Sequence, residues 1–396
     1  MSFLSGCDAI ARGAWEGGAA FAGSYPGSPV TGIIDGLARF PEIKTQWMAN
    51  EKIAMEVSIG AAHAGQRALV VMKHVGLNVA ADPFFNVAYT GTRGALVIVV
   101  GDDPGAKSSQ NEQDTRMLAA AAKVPVLEPA SIEEALLFTR LAFEISERFD
   151  TPVIVRVTTP LCYGTAKVVT GTRPKTFPRL GFAKPIEKYL LLPAFVGARH
   201  RDLNNRLARL ADSDWGRWFA QPVAAAADAP RHPYGIVVAG FPYAQVAEAF
   251  RGHAPILKVG MSFPLNEAAI REFAARCDHL LVVEESSGFV EMRLRAMGLK
   301  VASRPQFDGV GEFALTQMCS PEIPAIAERI DAMTNSQTGR RRKRIPLAAV
   351  ADFPRMAEPL NAPPRPPGFC AGCSHRGIFY SLAQRDLYVV GDIGCY

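Results

Sequence analysis

The chain has 396 residues, 48% apolar and 20% charged, with 34 Gly and 29 Pro, enough to bury more than one core and to divide into two or three domains. Its formal charge of +5 comes down to the run Arg340-Arg341-Arg342-Lys343-Arg344; the rest is neutral, so no broad basic face for nucleic acid is expected. No stretch approaches the roughly 18 consecutive apolar residues of a membrane span, and the start has neither the basic flank nor the apolar run of a secretion signal, so no membrane partner is expected and the cytoplasm is the expected compartment.

From Gly6 to about Thr158 short apolar runs alternate with amphipathic stretches, the signature of a parallel sheet covered on both faces. Strands are predicted at Arg67–Lys73, Ala95–Gly101, Pro125–Leu127 and Pro152–Thr158, each rich in Val, Leu or Ile and followed by polar residues or Gly. A predicted helix over Glu51–Ala64 spaces Ile53, Val57 and Gly60 on one face, and a second over Ser131–Arg148 opens with Ser131 three residues before Glu134, a capping box. The alternation is lost from Pro160 to Pro233, where Pro174, Pro178, Pro185 and Pro193 precede an Arg-rich, helix-like stretch around Asp202–Asp212; this segment reads as a connector.

A second α/β block runs from Tyr234 to about Ile330, with strands Gly235–Ala239, Pro255–Val259 and His279–Val283 and helices near Tyr243–Phe250, Asn266–Arg276 and Phe289–Met297. It has no phosphate-loop glycines. Pro and Arg then dominate Asn335–Gly368, an interdomain linker in which the Arg340–Arg344 run reads as solvated chain. Beyond it, Cys370-Ala-Gly-Cys373-Ser-His375 opens a helical stretch, and Leu387–Tyr396 reads as a strand entering a Gly/Asp turn: the opening of a third α/β domain whose body lies outside this chain.

The sequence lacks a P-loop, a G-x-G-x-x-G after a strand, a G-x-S-x-G elbow and an H-E-x-x-H pair, which argues against the corresponding nucleotide, dinucleotide, hydrolase and zinc-protease chemistries. Seven scattered cysteines read as reduced thiols, ligands or site residues rather than a disulfide framework. Cys370-x-x-Cys373-x-His375 with Cys395 allows three readings on spacing alone: zinc, a redox pair, or thiols packed in a Gly turn. Three loops stand out: the tight turn Tyr25-Pro26-Gly27-Ser28-Pro29-Val30-Thr31, which leads into a helix ending near Arg39, and Lys73-His74-Val75-Gly76 and Gly101-Asp102-Asp103-Pro104-Gly105, which end strands, where open α/β sheets bind ligands. By pattern alone the first is a capping turn, His74 a structural histidine, and Glu51 a routine acidic residue after the Asn50 cap.

Taken together, Tyr25–Pro29, Asn50–Ala54, Met72–Pro83, Gly101–Gly105, Ser108–Asp114, Val259–Pro264, Val283–Glu285, Cys370–His375 and Gly391–Cys395 resemble the large subunit of the indolepyruvate:ferredoxin oxidoreductases. These belong to the thiamine-diphosphate-dependent 2-oxoacid:acceptor oxidoreductases, and the likeness covers nearly the whole chain. It implies tandem doubly wound parallel-sheet domains: a pyrimidine-binding domain over 1–160, the connector over 161–233, a transketolase-C-like domain over 234–332, the linker over 333–368, and the incomplete start of a diphosphate-binding domain over 369–396.

The resemblance also implies the chemistry: oxidative decarboxylation of an aromatic 2-oxoacid to an acyl-CoA, with ferredoxin reduced. Alternatives are another 2-oxoacid, such as phenylglyoxylate or a branched-chain oxoacid, or a non-catalytic α/β assembly subunit. By this transfer Glu51 is the carboxyl that hydrogen-bonds the aminopyrimidine ring nitrogen; in an apolar site such a carboxyl shares a proton, where Gln could only hydrogen-bond. His74 joins Glu51 as a catalytic residue, and Tyr25, Pro26, Gly27, Ser28, Pro29 and Thr31 face the substrate. Gly76, Cys370, Gly372, Cys373, His375, Asp392, Gly394 and Cys395 bind the cofactor. The ligands of Mg2+ and the iron–sulfur clusters are expected outside this chain. The implied partners are a second (beta) subunit, ferredoxin and coenzyme A, in a homo- or hetero-oligomer.

Overall fold

In two adjacent strands, Arg67–Lys73 and Ala95–Asp102, successive side chains enter different cores. Leu69, Val71, Val97 and Val99 join one apolar cluster, while Ala68, Val70, Met72, Leu96, Ile98 and Val100 join the other. A strand with a two-residue period and no polar face needs cover on both sides. The computed structural model, which describes residues 1–174, 181–223, 231–250, 254–302 and 373–385, has that arrangement.

The strands in chain order are β1 (Ser2–Ser5), β2 (Phe21–Ser24), β3 (Lys44–Trp47), β4 (Arg67–Lys73), β5 (Ala95–Asp102), β6 (Val126–Leu127), β7 (Val153–Thr158), β8 (Thr165–Val168), β9 (Ala220–Val223), β10 (His232–Ala239), β11 (Ile256–Val259), β12 (Met261–Phe263) and β13 (Cys277–Val283). A seven-stranded sheet has the order β12-β6-β7-β5-β4-β2-β3, parallel except for β12. A four-stranded sheet has the order β13-β10-β11-β9, with β9 antiparallel. Strands β1 and β8 pair by themselves. Helices Gly6–Glu16, Thr31–Leu37 and Ile132–Phe149 supply the first cluster of the large sheet, and Glu51–His63, His74–Val79 and Ala81–Thr90 the second.

The chain passes from one sheet to the other through a single residue. The chain leaves β11 at Val259 and enters β12 at Met261; between them Gly260 takes the Phe219 carbonyl at 2.7 Å and offers its own oxygen to the Glu128 amide at 2.8 Å. The second cluster continues into Val237, Leu257, Phe263, Phe273 and Leu294, so one core spans both sheets. Among the described residues no helix is long and apolar enough to cross a membrane.

Several expectations need correction. Ile53 and Val57 are 39% and 41% exposed; the buried face of helix Glu51–His63 is instead Ala54, Met55, Ser58 and Ala62. The reason is close approach: a Cβ on Gly23 of β2 would lie 3.1 Å from Ser58 Oγ and 3.2 Å from the Ala54 oxygen, so the helix residues over Gly23 are small. Both sheets, expected to be parallel, carry an antiparallel edge strand, and the connector contributes one of them, β9, besides the 19-residue helix Pro193–Ala211. The predicted capping box forms with an offset: Ser131 Oγ accepts from the Glu134 amide at 3.2 Å, while Glu134 reaches back to the Ala130 amide at 2.9 Å. The linker 335–368, with Arg340–Arg344, and the strand over 387–396 lie outside the described residues.

Helix Gly6–Glu16 crosses helix Ile132–Phe149 at Gly13, where a Cβ would sit 2.3 Å from the Leu136 carbonyl oxygen. Gly13→Ala is therefore expected to lower stability by about 1–3 kcal/mol, the range for overpacking, despite alanine's better helix propensity. Urea unfolding checks this; an unchanged or raised midpoint would show that the helices part without cost.

Candidate active site

Because β2, β4, β5 and β7 run parallel, their carboxyl ends share one edge of the large sheet, the edge at which such sheets bind ligands. The turn after β2 lies across the next two strands. The Gly27 amide donates to Thr31 Oγ1 at 3.0 Å and the Val30 amide to the Gly27 oxygen at 3.1 Å. A Cβ on Gly27 would lie 2.9 Å from Lys73 Cβ at the end of β4, and one on Gly101 in β5 would lie 2.6 Å from Val30 Cγ1 and 3.0 Å from Pro29 Cδ. Tyr25 and Pro26 are exposed, Gly27, Ser28 and Thr31 half-buried, and Pro29 buried.

His74, 2% exposed, places Nδ1 3.3 Å from the Gly101 oxygen and Nε2 3.2 Å from the Asn111 oxygen. Both ring nitrogens thus face backbone carbonyls, and the ring clamps β5 to the loop that follows it. Lys73 Nζ donates to the Ser108 oxygen at 2.6 Å in the same loop. The Asp103 carboxylate accepts from the Ser108 amide at 2.8 Å, Ser109 Oγ at 2.6 Å and Thr159 Oγ1 at 3.0 Å. Burial works against the Asp103 charge, but these hydrogen bonds and the Lys73 ammonium hold its carboxyl below its ordinary value.

Glu51 opens its helix beside the cap, where Asn50 Oδ1 accepts from the Ile53 amide at 2.9 Å. The side chain does not point into bulk water: Glu51 is 9% exposed. It packs on Gly76, where a Cβ would meet Oε1 at 2.5 Å and Cδ at 2.8 Å. The structure thus brings Glu51, Gly76, His74 and the turn Tyr25–Thr31 to one edge. Cys373 lies at the start of helix Ser374–Ala383. Cys370, Gly372, Asp392, Gly394, Cys395 and the side chain of His375 are outside the described residues.

Beneath this edge lies a charged network absent from the sequence reading. Arg156 of β7 donates to Asp102 Oδ2 at 2.6 Å and Glu128 Oε2 at 2.7 Å, and reaches Ser286 Oγ at 3.3 Å. Arg116 grips Asp114 with two bonds at 2.8 and 2.6 Å, Glu284 Oε2 at 2.7 Å, and the carbonyls of Glu285 and Ser287 at 2.8 and 3.1 Å. Thr115 closes on Asp102 through its amide and hydroxyl. Glu284 in turn accepts the Val290 and Glu291 amides, both at 3.0 Å, at the start of helix Phe289–Ala296. The loop after β13 is therefore bolted to the carboxyl edge of the other sheet. Burial disfavours the charge on both guanidiniums, but the surrounding carboxylates outweigh it and push their pKa values up. Burial likewise opposes ionisation of Asp114 and Glu128, and the two arginines pull both below the usual range. One signal was available in the sequence: Arg156 interrupts the otherwise apolar run Val153–Val157.

Residues 12–169 match the thiamine diphosphate-binding domain model of the pyruvate flavodoxin/ferredoxin oxidoreductases, and this part of the chain is a domain of that family. Within that class the chain is similar along its length to indolepyruvate oxidoreductase subunit IorA: 36% identical to the protein of Archaeoglobus fulgidus, covering 100% of this chain and 63% of that protein, and 34% identical to that of Pyrococcus abyssi, covering 99% and 61%. The chain thus spans a little under two thirds of the length of these curated relatives. The fold is also that of the 2-oxoglutarate:ferredoxin oxidoreductase of Magnetococcus marinus, solved with 2-oxoglutarate, coenzyme A and succinyl-CoA bound, at a TM-score of 0.66 and 18% identity over 83% of this chain and 65% of that one.

Because Asp114 and Glu128 are more acidic folded than unfolded, their ionised pairs stabilise the fold above the ordinary carboxyl range near pH 4, and that stability is lost as pH falls through the lower folded values. Arg116→Met leaves Asp114 and Glu284 without their shared cation and is expected to cost about 3–5 kcal/mol at neutral pH. That cost should shrink as pH falls and the carboxyls take up protons, so the variant loses less stability on acidification than the wild type. Urea unfolding of both proteins between pH 3 and 7 checks both effects; superimposable curves would mean the network does not hold the two sheets together.

Proposed function

We propose that this chain is part of the large subunit of a cytoplasmic, thiamine-diphosphate-dependent oxidoreductase that decarboxylates an aromatic 2-oxoacid such as indolepyruvate, forms an acyl-CoA and reduces ferredoxin. The observation that carries the reading is the Glu51 carboxyl, withdrawn from bulk water onto the bare Cα of Gly76 at the carboxyl edge of a parallel sheet. A carboxyl in that setting suits contact with a flat heterocycle nitrogen, and Gly76 is the residue type that leaves it room.

Thiamine diphosphate, when bound, supplies the electron sink that decarboxylation of a 2-oxoacid requires. Glu51 would hold a shared proton on its carboxyl against the aminopyrimidine ring nitrogen. The turn Tyr25–Thr31, with the half-buried Ser28 hydroxyl and Thr31, whose Oγ1 holds the Gly27 amide, would receive the substrate carboxylate. His74, clamped between the Gly101 and Asn111 carbonyls, would fix the loop that closes this space and serve as the second catalytic residue.

In this reading 1–160 is the pyrimidine-binding domain and 234–332 the transketolase-C-like domain, joined by the connector 161–233. After the linker 333–368, residues 369–396 begin the diphosphate-binding domain, with Cys370, Gly372, Cys373, His375, Asp392, Gly394 and Cys395 beside the diphosphate. Magnesium and iron–sulfur ligands, and a beta subunit, come from outside the chain.

In the full-length protein assembled with its partner subunit, Glu51→Gln should keep the fold and lower indolepyruvate-dependent reduction of ferredoxin by roughly 10²-fold or more, the usual scale for losing a positioned proton-transfer group. Steady-state kinetics with indolepyruvate decide it. Undiminished turnover removes Glu51 from the mechanism.

A further inference from the structure

We propose that Asp103 is a positioning residue of the oxidoreductase site: with Lys73 it clamps the loop 104–113 onto the ends of β4, β5 and β7, and so fixes the wall that the 2-oxoacid meets beside His74. This rests on the reading of that edge as the substrate site. The loop leaves β5 at the carboxyl edge and ends at the Asp114 cap of helix Thr115–Ala122. Its place beside the turn after β2 is set through one residue. Gly101 packs under Pro29 and Val30 of the turn, and its oxygen lies 3.3 Å from His74 Nδ1, while His74 Nε2 lies 3.2 Å from the oxygen of Asn111 in the loop.

Ser108 is gripped on both sides of its Cα. Its amide donates to Asp103 Oδ2 at 2.8 Å, and its carbonyl accepts from Lys73 Nζ at 2.6 Å. Opposite charges at the ends of two neighbouring strands thus hold the donor and the acceptor of one loop residue, and hydrogen bonds with one charged member are the stronger kind. The same carboxylate accepts from Ser109 Oγ at 2.6 Å and, at Oδ1, from Thr159 Oγ1 at 3.0 Å. A carboxylate only accepts. One buried side chain, 1% exposed, therefore draws together donors from the loop and from the helix Thr159–Tyr163 that follows β7.

The far end of the loop is tied to helix His74–Val79 by neutral groups: Asn78 Nδ2 donates to Gln113 Oε1 at 2.9 Å, and Gln113 Nε2 to Asn111 Oδ1 at 2.8 Å. Between the two anchors the backbone is strained. Ala106 has φ 47°, directly after Gly105 at φ 81°, in the left-handed region that alanine disfavours. Such a conformation persists only where contacts around it enforce it. The Asp103 oxygen accepts the Ala106 amide at 2.8 Å, and Glu112 Oε2 the Gly105 amide at 2.8 Å. Without the Asp103 carboxylate the charged anchor is gone, and the strained segment is free to relax away from the imidazole.

The test uses the full-length protein with its partner subunit, the variants Asp103→Ala, Asp103→Asn and Ser109→Ala, and indolepyruvate, phenylpyruvate and pyruvate as substrates. Asp103→Ala should raise KM roughly tenfold or more, the scale of one hydrogen bond to a charged group, with kcat within about threefold of wild type. Asp103→Asn, whose amide oxygen can still receive the Ser108 amide, should recover part of that rise. Ser109→Ala, which removes one bond and leaves the strand end intact, should raise KM about threefold, and it decides alone should Asp103→Ala fail to fold. Trypsin gives a readout without turnover: cleavage after the exposed Lys107, followed as a new amino terminus at Ser108, should quicken most in Asp103→Ala. KM unchanged in these variants, or a lower kcat and melting temperature at constant KM, makes Asp103 structural only and overturns the assignment while leaving the proposed activity standing. Wild-type protein that turns over none of the three substrates overturns both.

Discussion

Two guanidiniums that cannot shed their charge are buried completely in this protein, and the architecture around the candidate site follows from how they are satisfied. Arginine stays protonated at any physiological pH, so Arg116 and Arg156 must be matched by fixed acceptors or the interior carries uncompensated charge. The acceptors come from every part of the chain that meets there: Asp102 at the end of β5, Asp114 at the cap of helix Thr115–Ala122, Glu128 after β6, and Glu284 with two backbone carbonyls after β13. An apolar contact would tolerate sliding. This set, with its fixed donor directions, specifies one position of the second sheet's loop against the first sheet's edge.

That fixed position is what gives the edge its chemistry. Asp102 is held from below by Arg156 and Thr115, and its neighbour Asp103 gathers Ser108, Ser109 and Thr159 above it. Lys73 and His74 reach the same loop from β4. The turn after β2 then lies over the ends of β4 and β5, and Glu51 closes the far side against Gly76. Each of these contacts depends on parallel strands that end together, so one backbone arrangement delivers a carboxyl, an imidazole and a hydroxyl-bearing turn to one place.

Much of this was legible in the sequence because the physics there is local. β4 and β5 announce themselves as apolar runs with no polar face, and Ser131 announces its helix through a cap. Two of the loops could be singled out because polar and Gly residues follow the apolar runs of β4 and β5. Other features depend on what lies across the fold. Two short parallel strands, Phe21–Ser24 and Lys44–Trp47, carry too little pattern to stand out. Helix Glu51–His63 was phased by its larger apolar residues, but sheet contact selected its small ones, Ala54, Ser58 and Ala62. Arg116 and Glu284 are 168 positions apart, and nothing near either residue signals the other.

The central claim, that the crevice lined by Glu51 and Gly76 receives thiamine diphosphate, can be tested by binding rather than by turnover. Alanine at position 76 should favour helix His74–Val79 by propensity, so any loss of function must come from the methyl group, which would occupy the space of the Glu51 carboxyl. The measurement is a calorimetric titration of thiamine diphosphate, with magnesium, into full-length wild-type and Gly76→Ala proteins. The account predicts affinity weakened about tenfold or more, a difference of about 1.4 kcal/mol, with the melting temperature retained. Equal affinities would place the cofactor elsewhere and contradict it.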